Sequence, residues 1–175
     1  FDVKDELGLS DTTVYLNVSA HTIMHQEFCK IFSKFVEENN IKENEFGLEI
    51  TETAELEDTQ KAGESLERLK KRGIKIALDD FGAGYASLKY IRDLPIDVVK
   101  LDRHFTSNIS DPSTSRLIKF VSDVCAELNL EMIGEGIETE QEKNMMIDLG
   151  CETGQGFLMH MPSFIEDIMK ERNDG

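Results

Sequence analysis

Basic residues are scarce in this chain. Lysine and arginine number 19 against 35 aspartates and glutamates over 175 residues, a formal net charge of −16 at pH 7. That balance excludes a basic face for binding a nucleic-acid polymer. It also repels any phosphate-bearing small molecule unless divalent cations intervene. Cysteine is equally sparse: Cys29, Cys125 and Cys151 are odd in number, far apart and form no CxxC. A disulfide framework and a cysteine zinc site are thereby excluded, and reduced thiols in a cytoplasmic setting are expected. Long apolar runs are missing too. No stretch approaches the roughly 20 residues of a membrane helix, and no signal peptide is visible. This segment is therefore expected to make no membrane contact, although a parent protein could tether it. Neither an internal repeat nor a low-complexity linker interrupts the chain. What is present, 39% hydrophobic and 31% charged residues, suits one globular domain over residues 1–175 with a sizeable core.

Short apolar runs alternate with helical periodicity along the chain. Strands are expected at Thr13–Val18, Gly47–Thr51, Ile74–Asp80, Asp97–Leu101, Leu130–Ile137 and Glu152–Leu158. Between His21 and Asn39, Met24, Phe28, Ile31, Phe32 and Phe35 recur at helical spacing. A second helix carries Ala62, Leu66 and Leu69, with Lys70, Lys71 and Arg72 at its carboxyl end and Gly73 as its stop. Further helices follow: Ser87–Asp93; one opened by Asp111-Pro112 with Leu117, Val121, Val124 and Leu128 on its inner face; Glu138–Leu149; and Pro162–Arg172. Six strand–helix units in strict alternation argue for parallel strands with right-handed crossovers.

Polar residues mark the carboxyl ends of successive strands. Asn17, Glu49, Asp79, Lys100, Glu135 and Gln155 are separated by 32, 30, 21, 35 and 20 residues, each about one βα unit. Parallel α/β folds gather such positions on one rim, where ligands bind. Asp79 and Asp80 form an adjacent pair, followed by Phe81, Gly82 and a glycine loop. Two neighbouring carboxylates repel each other, so alone they read as solvated loop acids. Together with Asn17 and Glu49 they supply hard oxygen ligands suited to Mg²⁺ or Mn²⁺ rather than zinc. An Asp pair with flanking Glu can bridge two metals and serve phosphoryl displacement by water. Lys100 could orient or help deprotonate that water, and Glu135 could ligate the second metal or act as base.

Competing motifs carry less. Gly82-Ala83-Gly84 follows a strand, but the third glycine of a dinucleotide fingerprint is Ser87, and two acids beside it would repel a pyrophosphate. His21 and His25 lie four apart on a helix without an HExxH glutamate. His104 and His160 have no obvious partners, and the seven methionines read as core filling.

Taken in order, Asn17-Val18-Ser19, Glu49-Ile50-Thr51-Glu52, Asp79-Asp80-Phe81-Gly82, Lys100-Leu101-Asp102, Glu135-Gly136-Ile137-Glu138 and Gln155-Gly156-Phe157 resemble the EAL domain. That family comprises bacterial phosphodiesterases that linearise cyclic di-GMP to pGpG. The resemblance implies a TIM-like (β/α) barrel, here incomplete with about six βα units, and two Mg²⁺ or Mn²⁺ ions per site. It implies that Asn17, Glu49 and Asp79 hold the first metal, and that Asp79, Asp80 and Glu135 hold the second. By the same likeness Lys100 positions the attacking water. Glu52 steadies the loop from Phe81 through Gly82 to Ser87, which links the site to homodimerisation. Glu138 and Gln155 are rim residues near substrate and metal.

The chain also departs from the pattern. No Glu-Ala-Leu tripeptide occurs; the nearest string, Ala54-Glu55-Leu56, lies elsewhere. A whole barrel takes about 250 residues, so the strands bearing that glutamate and an adjacent arginine are expected upstream of Phe1 in a longer parent. A sensor or GGDEF domain is also expected in that parent. The piece alone is expected to hydrolyse cyclic di-GMP weakly or not at all. The alternative is a non-catalytic cyclic di-GMP receptor.

Overall fold

A computed structural model describes residues 12–51, 58–83, 87–164, 166–168 and 170. Six strands form one sheet in the order β1-β2-β3-β4-β5-β6, every neighbouring pair parallel. They are β1 (Val14–Asn17), β2 (Phe46–Thr51), β3 (Lys75–Phe81), β4 (Val98–Leu101), β5 (Glu131–Gly134) and β6 (Thr153–Gly154). Between them run α1 (Ala20–Met24), α2 (Gln26–Glu38), α3 (Thr59–Lys70), α4 (Ser87–Asp93), α5 (Arg103–Ser107), α6 (Pro112–Glu127) and α7 (Glu140–Asp148). Parallel strands in sequential order, joined by helical crossovers, build a TIM-like (β/α) barrel, and six units are present here.

Helix starts are written locally. Ser19, Asp58, Asp102, Asp111 and Thr139 each accept a hydrogen bond from a backbone N–H in the first turn of the helix they precede. Such caps satisfy amides that have no partner inside the helix. Thr139 and Glu142 form a reciprocal capping box. At the other end of α3, Gly73 turns out of the helix at φ 80°, as its position predicts.

Alternation along the strands sorts the core from the site. Leu48, Ile50, Ile76, Leu78, Val99, Leu101 and Met132 join the apolar cluster with Leu66 and Leu69 of α3 and Ile118 and Cys125 of α6. Residues of the opposite parity, Glu49, Ala77, Asp79, Val98 and Lys100, face the other side of the sheet. Ala77 and Val98 are buried there as well.

Several expectations need correction. The single helix over His21–Asn39 is two, because His25 adopts an extended backbone (φ −83°, ψ 115°). That break resets the helical phase, so Ile23, Cys29, Phe32 and Val36 are buried while Ile31 and Phe35 are exposed. On α6 the inner face is Ile118, Val121, Ser122 and Cys125; Leu117 and Leu128 point outward. The register there is shifted by one position, which a stripe of mixed apolar residues does not determine. Strands β5 and β6 are shorter than the apolar runs that suggested them. The five-residue α5 went unanticipated, being too short to show a period. Of the helix expected at Pro162–Arg172, residues 166–168 and 170 are helical and much of the remainder lies outside the described residues.

Candidate active site

The rim side chains converge on one ammonium. Lys100, from β4, places its Nζ 3.0 Å from Glu49 Oε1, 2.9 Å from Asp79 Oδ1 and 2.8 Å from Glu135 Oε1. Its side chain is 7% exposed, and the three carboxylates are 11–14% exposed. Glu49 comes from β2, Asp79 from β3, and Glu135 lies immediately after β5, so three other strands feed one lysine. Gln155, one residue past β6, donates from Nε2 to the same Glu135 oxygen at 2.6 Å. Glu135 is itself set by the sheet, its N–H bonding to the Leu101 carbonyl at 3.1 Å.

The Asp79–Asp80 pair requires a distortion. A regular strand would send the two side chains to opposite faces. Instead the register between β3 and β4 shifts between Leu78 and Phe81, and Asp80 takes φ 55°. That left-handed conformation costs most residues but is tolerated by Asp. It turns the second carboxylate back to the rim, the re-aiming that bulges beside active sites perform. Asp79, Asp80 and Glu135 can then each offer one oxygen, all within 4.8 Å of one another.

Burial would by itself depress the protonated form of Lys100. Its close pairing with the Glu135 and Asp79 carboxylates outweighs it, and the ammonium's pKa lies above the ordinary lysine value. Paired with three carboxylates, Lys100 stands as an ammonium, a donor that can orient an oxygen. Glu135 moves the other way from most paired acids. Burial, opposed by Lys100 and reinforced by the charges of Asp79 and Asp80, raises its pKa.

An all-oxygen set of this kind fits a hard divalent cation. Among the described residues, Asp79 Oδ1 is one of two buried side-chain oxygens that no hydrogen bond reaches. Lys100 supplies it charge at 2.9 Å, but from off the hydrogen-bonding direction. An oxygen in that position has a free lone pair for coordination.

Not every expected residue joins the cluster. Asn17 stands in register beside Glu49, at the exposed end of β1. Phe81 is buried at 4% exposure and Gly82 begins the loop at φ 96°. Glu52 lies outside the described residues, as does the side chain of Ser87. Glu138 lines, with Asp80, Glu135 and Gln155, a cavity of about 650 Å³ beside the cluster. Arg103, Phe157 and His160 line it as well; the sequence marked Phe157 only as part of a motif, gave His160 no role and did not mark Arg103. Arg103 follows the marked Lys100-Leu101-Asp102 triplet and Phe157 follows Gln155, so proximity to rim motifs was the available signal.

Fold and site thus define a (β/α)-barrel protein with an acidic, lysine-centred cluster at the strand ends. The chain belongs to the EAL domain family, whose model matches residues 2–162. It is 30% identical over 163 residues to the bifunctional diguanylate cyclase/cyclic di-GMP phosphodiesterase MucR of Pseudomonas aeruginosa, a match covering 93% of this chain and 24% of that protein. The chain spans about a quarter of the length of the curated relatives it matches. Among solved structures, the EAL domain of Mycobacterium smegmatis DcpA superposes with a TM-score of 0.88 at 26% identity, over 99% of this chain and 80% of that one. The PaMucR phosphodiesterase in complex with c-di-GMP gives a TM-score of 0.84 at 29% identity, over 95% of this chain and 69% of that one.

Proposed function

We propose that this chain carries the hydrolytic centre of a metal-dependent cyclic di-GMP phosphodiesterase, as a partial EAL domain of a longer protein. The observation that carries the reading is the convergence of Asp79, Asp80 and Glu135 on one another, with Lys100 against Asp79 and Glu135. Support comes from the names of the relatives and from the c-di-GMP held by the PaMucR structure. Two ions, Mg²⁺ or Mn²⁺, would be held by Asn17, Glu49 and Asp79 and by Asp79, Asp80 and Glu135. When bound they would lower the pKa of a ligated water and neutralise charge on the scissile phosphate. Lys100 would orient that water through its ammonium, and Glu135 is placed to accept a proton. In the reaction a water oxygen bonds to phosphorus and one ring P–O bond breaks. The departing sugar oxygen takes a proton, giving linear pGpG. Gln155 would hold Glu135 in position; Glu52, Glu138 and the loop from Phe81 and Gly82 to Ser87 would order the rim near the substrate.

Chromatography of cyclic di-GMP incubated with the 175-residue chain and Mg²⁺ or Mn²⁺ tests this. Slow appearance of pGpG, abolished by Asp79→Asn, is expected. Turnover at the rate of the longer parent would overturn the view that a ligand upstream of Phe1 is needed. No product together with tight cyclic di-GMP binding would favour the receptor reading, against which the survival of all five acidic and lysine positions now counts. A homodimer, and a sensor or GGDEF domain in the parent, belong to the same reading. Light scattering of the purified chain tests the first.

A further inference from the structure

Lys100 makes contacts that a water-orienting group does not need. Its ammonium touches three carboxylates from three elements at 2.8–3.0 Å, and two of these, Asp79 and Glu135, belong to the oxygen cluster that can hold a metal. Three acidic side chains of the rim, Glu49, Asp79 and Glu135, gather on this one ammonium. Buried carboxylates are costly without a paired charge, so that cation is what keeps them together. A divalent ion held by the Asp79 and Glu135 carboxylates at about 2.0–2.1 Å would lie beside an ammonium that remains within 3.0 Å of both, and the two cations repel each other.

We propose that Lys100 is an internal stand-in cation. In the metal-free protein it holds Glu49, Asp79 and Glu135 in place. Metal binding is then an exchange in which the ammonium withdraws from the oxygens that the metal takes. Lysine thereby keeps the site assembled before loading and sets how weakly the first ion binds. This rests on the metal site of the proposed function and concerns its loading rather than its chemistry.

The test is calorimetric titration of the metal-free 175-residue chain and its Lys100→Met variant with MnCl₂ alone. Lys100→Met removes the charge and keeps the length of the side chain. The variant is expected to unfold at a lower temperature without metal and to bind Mn²⁺ at least about tenfold more tightly. Equal or weaker Mn²⁺ affinity in a folded variant overturns the proposal while leaving the metal site intact. No Mn²⁺ uptake by either protein overturns both, which separates the two failures. Should Lys100→Met not fold, the wild-type chain still answers. With ¹⁵N-lysine labelling and Lys100→Arg for assignment, the Lys100 ammonium resonance is expected to move as MgCl₂ is titrated in. A resonance unmoved at saturating Mg²⁺ sinks the exchange.

Discussion

The aspartate pair shows how much one backbone torsion decides. Asp79 and Asp80 share the rim only because Asp80 sits at φ 55° within a shifted register. Asp80→Ala should therefore lose a ligand and keep the strain. Asp80→Asn should keep the backbone, since Asn also tolerates the left-handed region, and lose charge alone. Thermal unfolding of both variants, without metal, should show Asp80→Ala the less stable by about 1 kcal/mol; equal stability would remove the argument from strain. Tyr15 offers a second residue-scale test. Its phenol is pushed up to about 12 by burial, with Glu131 and Glu49 adding to the effect. A pKa raised on folding means the native state holds its proton longer. The associated stability is intact below the ordinary tyrosine pKa of about 10 and is lost as pH rises toward 12. Phenolate absorbance of the wild type minus that of Tyr15→Phe should titrate near 12 in the folded protein, not near 10.

At the scale of elements, short helices and tight loops hold the site. Phe105 of α5 lies so close to Gly82 that an added Cβ would meet its ring at 2.2 Å, and Gly82 has φ 96°. Arg103 sits similarly over Gly136, at φ 66° and 2.5 Å. Helix α5 is thus wedged between the loop that follows Asp80 and the one that follows Glu135. Gly82→Ala should destabilise the protein by about 1–3 kcal/mol in chemical denaturation, from both the clash and the torsion. Gly82→Ala combined with Phe105→Ala should recover only the part due to the clash. Farther along, Thr139→Ala removes the capping box of α7 and should cost about 1 kcal/mol by the same measurement.

For the whole molecule, the acidic charge and the clustered oxygens should make the fold responsive to cations. A ligand that binds only the native state stabilises it by mass action, about 2.7 kcal/mol at 100 times its Kd. Saturating Mn²⁺ should raise the melting temperature, chelator should reverse it, and Asp79→Asn should abolish the shift. An unchanged transition would argue against any metal in this site. The thiols complete the picture: Cys29, Cys125 and Cys151 are free and buried, as expected of cysteines that serve packing. Among the described residues no helix is long and apolar enough to cross a membrane.

Six parallel strands and the six polar residues at their carboxyl ends were legible from the chain alone. Short apolar runs, capping residues and one polar mark per βα unit are local signals, each written within a few residues of the structure it sets. Asn17, Glu49, Asp79, Lys100, Glu135 and Gln155 announced a rim because parallel strands must end on the same side. Three things were decided only by the tertiary structure. Which stripe of α2 and α6 faces inward depended on a break at His25 and on packing against the sheet. Whether Asp80 joined Asp79 depended on a bulge whose cause lies in the β3–β4 pairing. That Lys100 would reach three carboxylates at once depended on how strands far apart in sequence converge. Distances between such residues are set by strand register, a long-range property that no local pattern encodes.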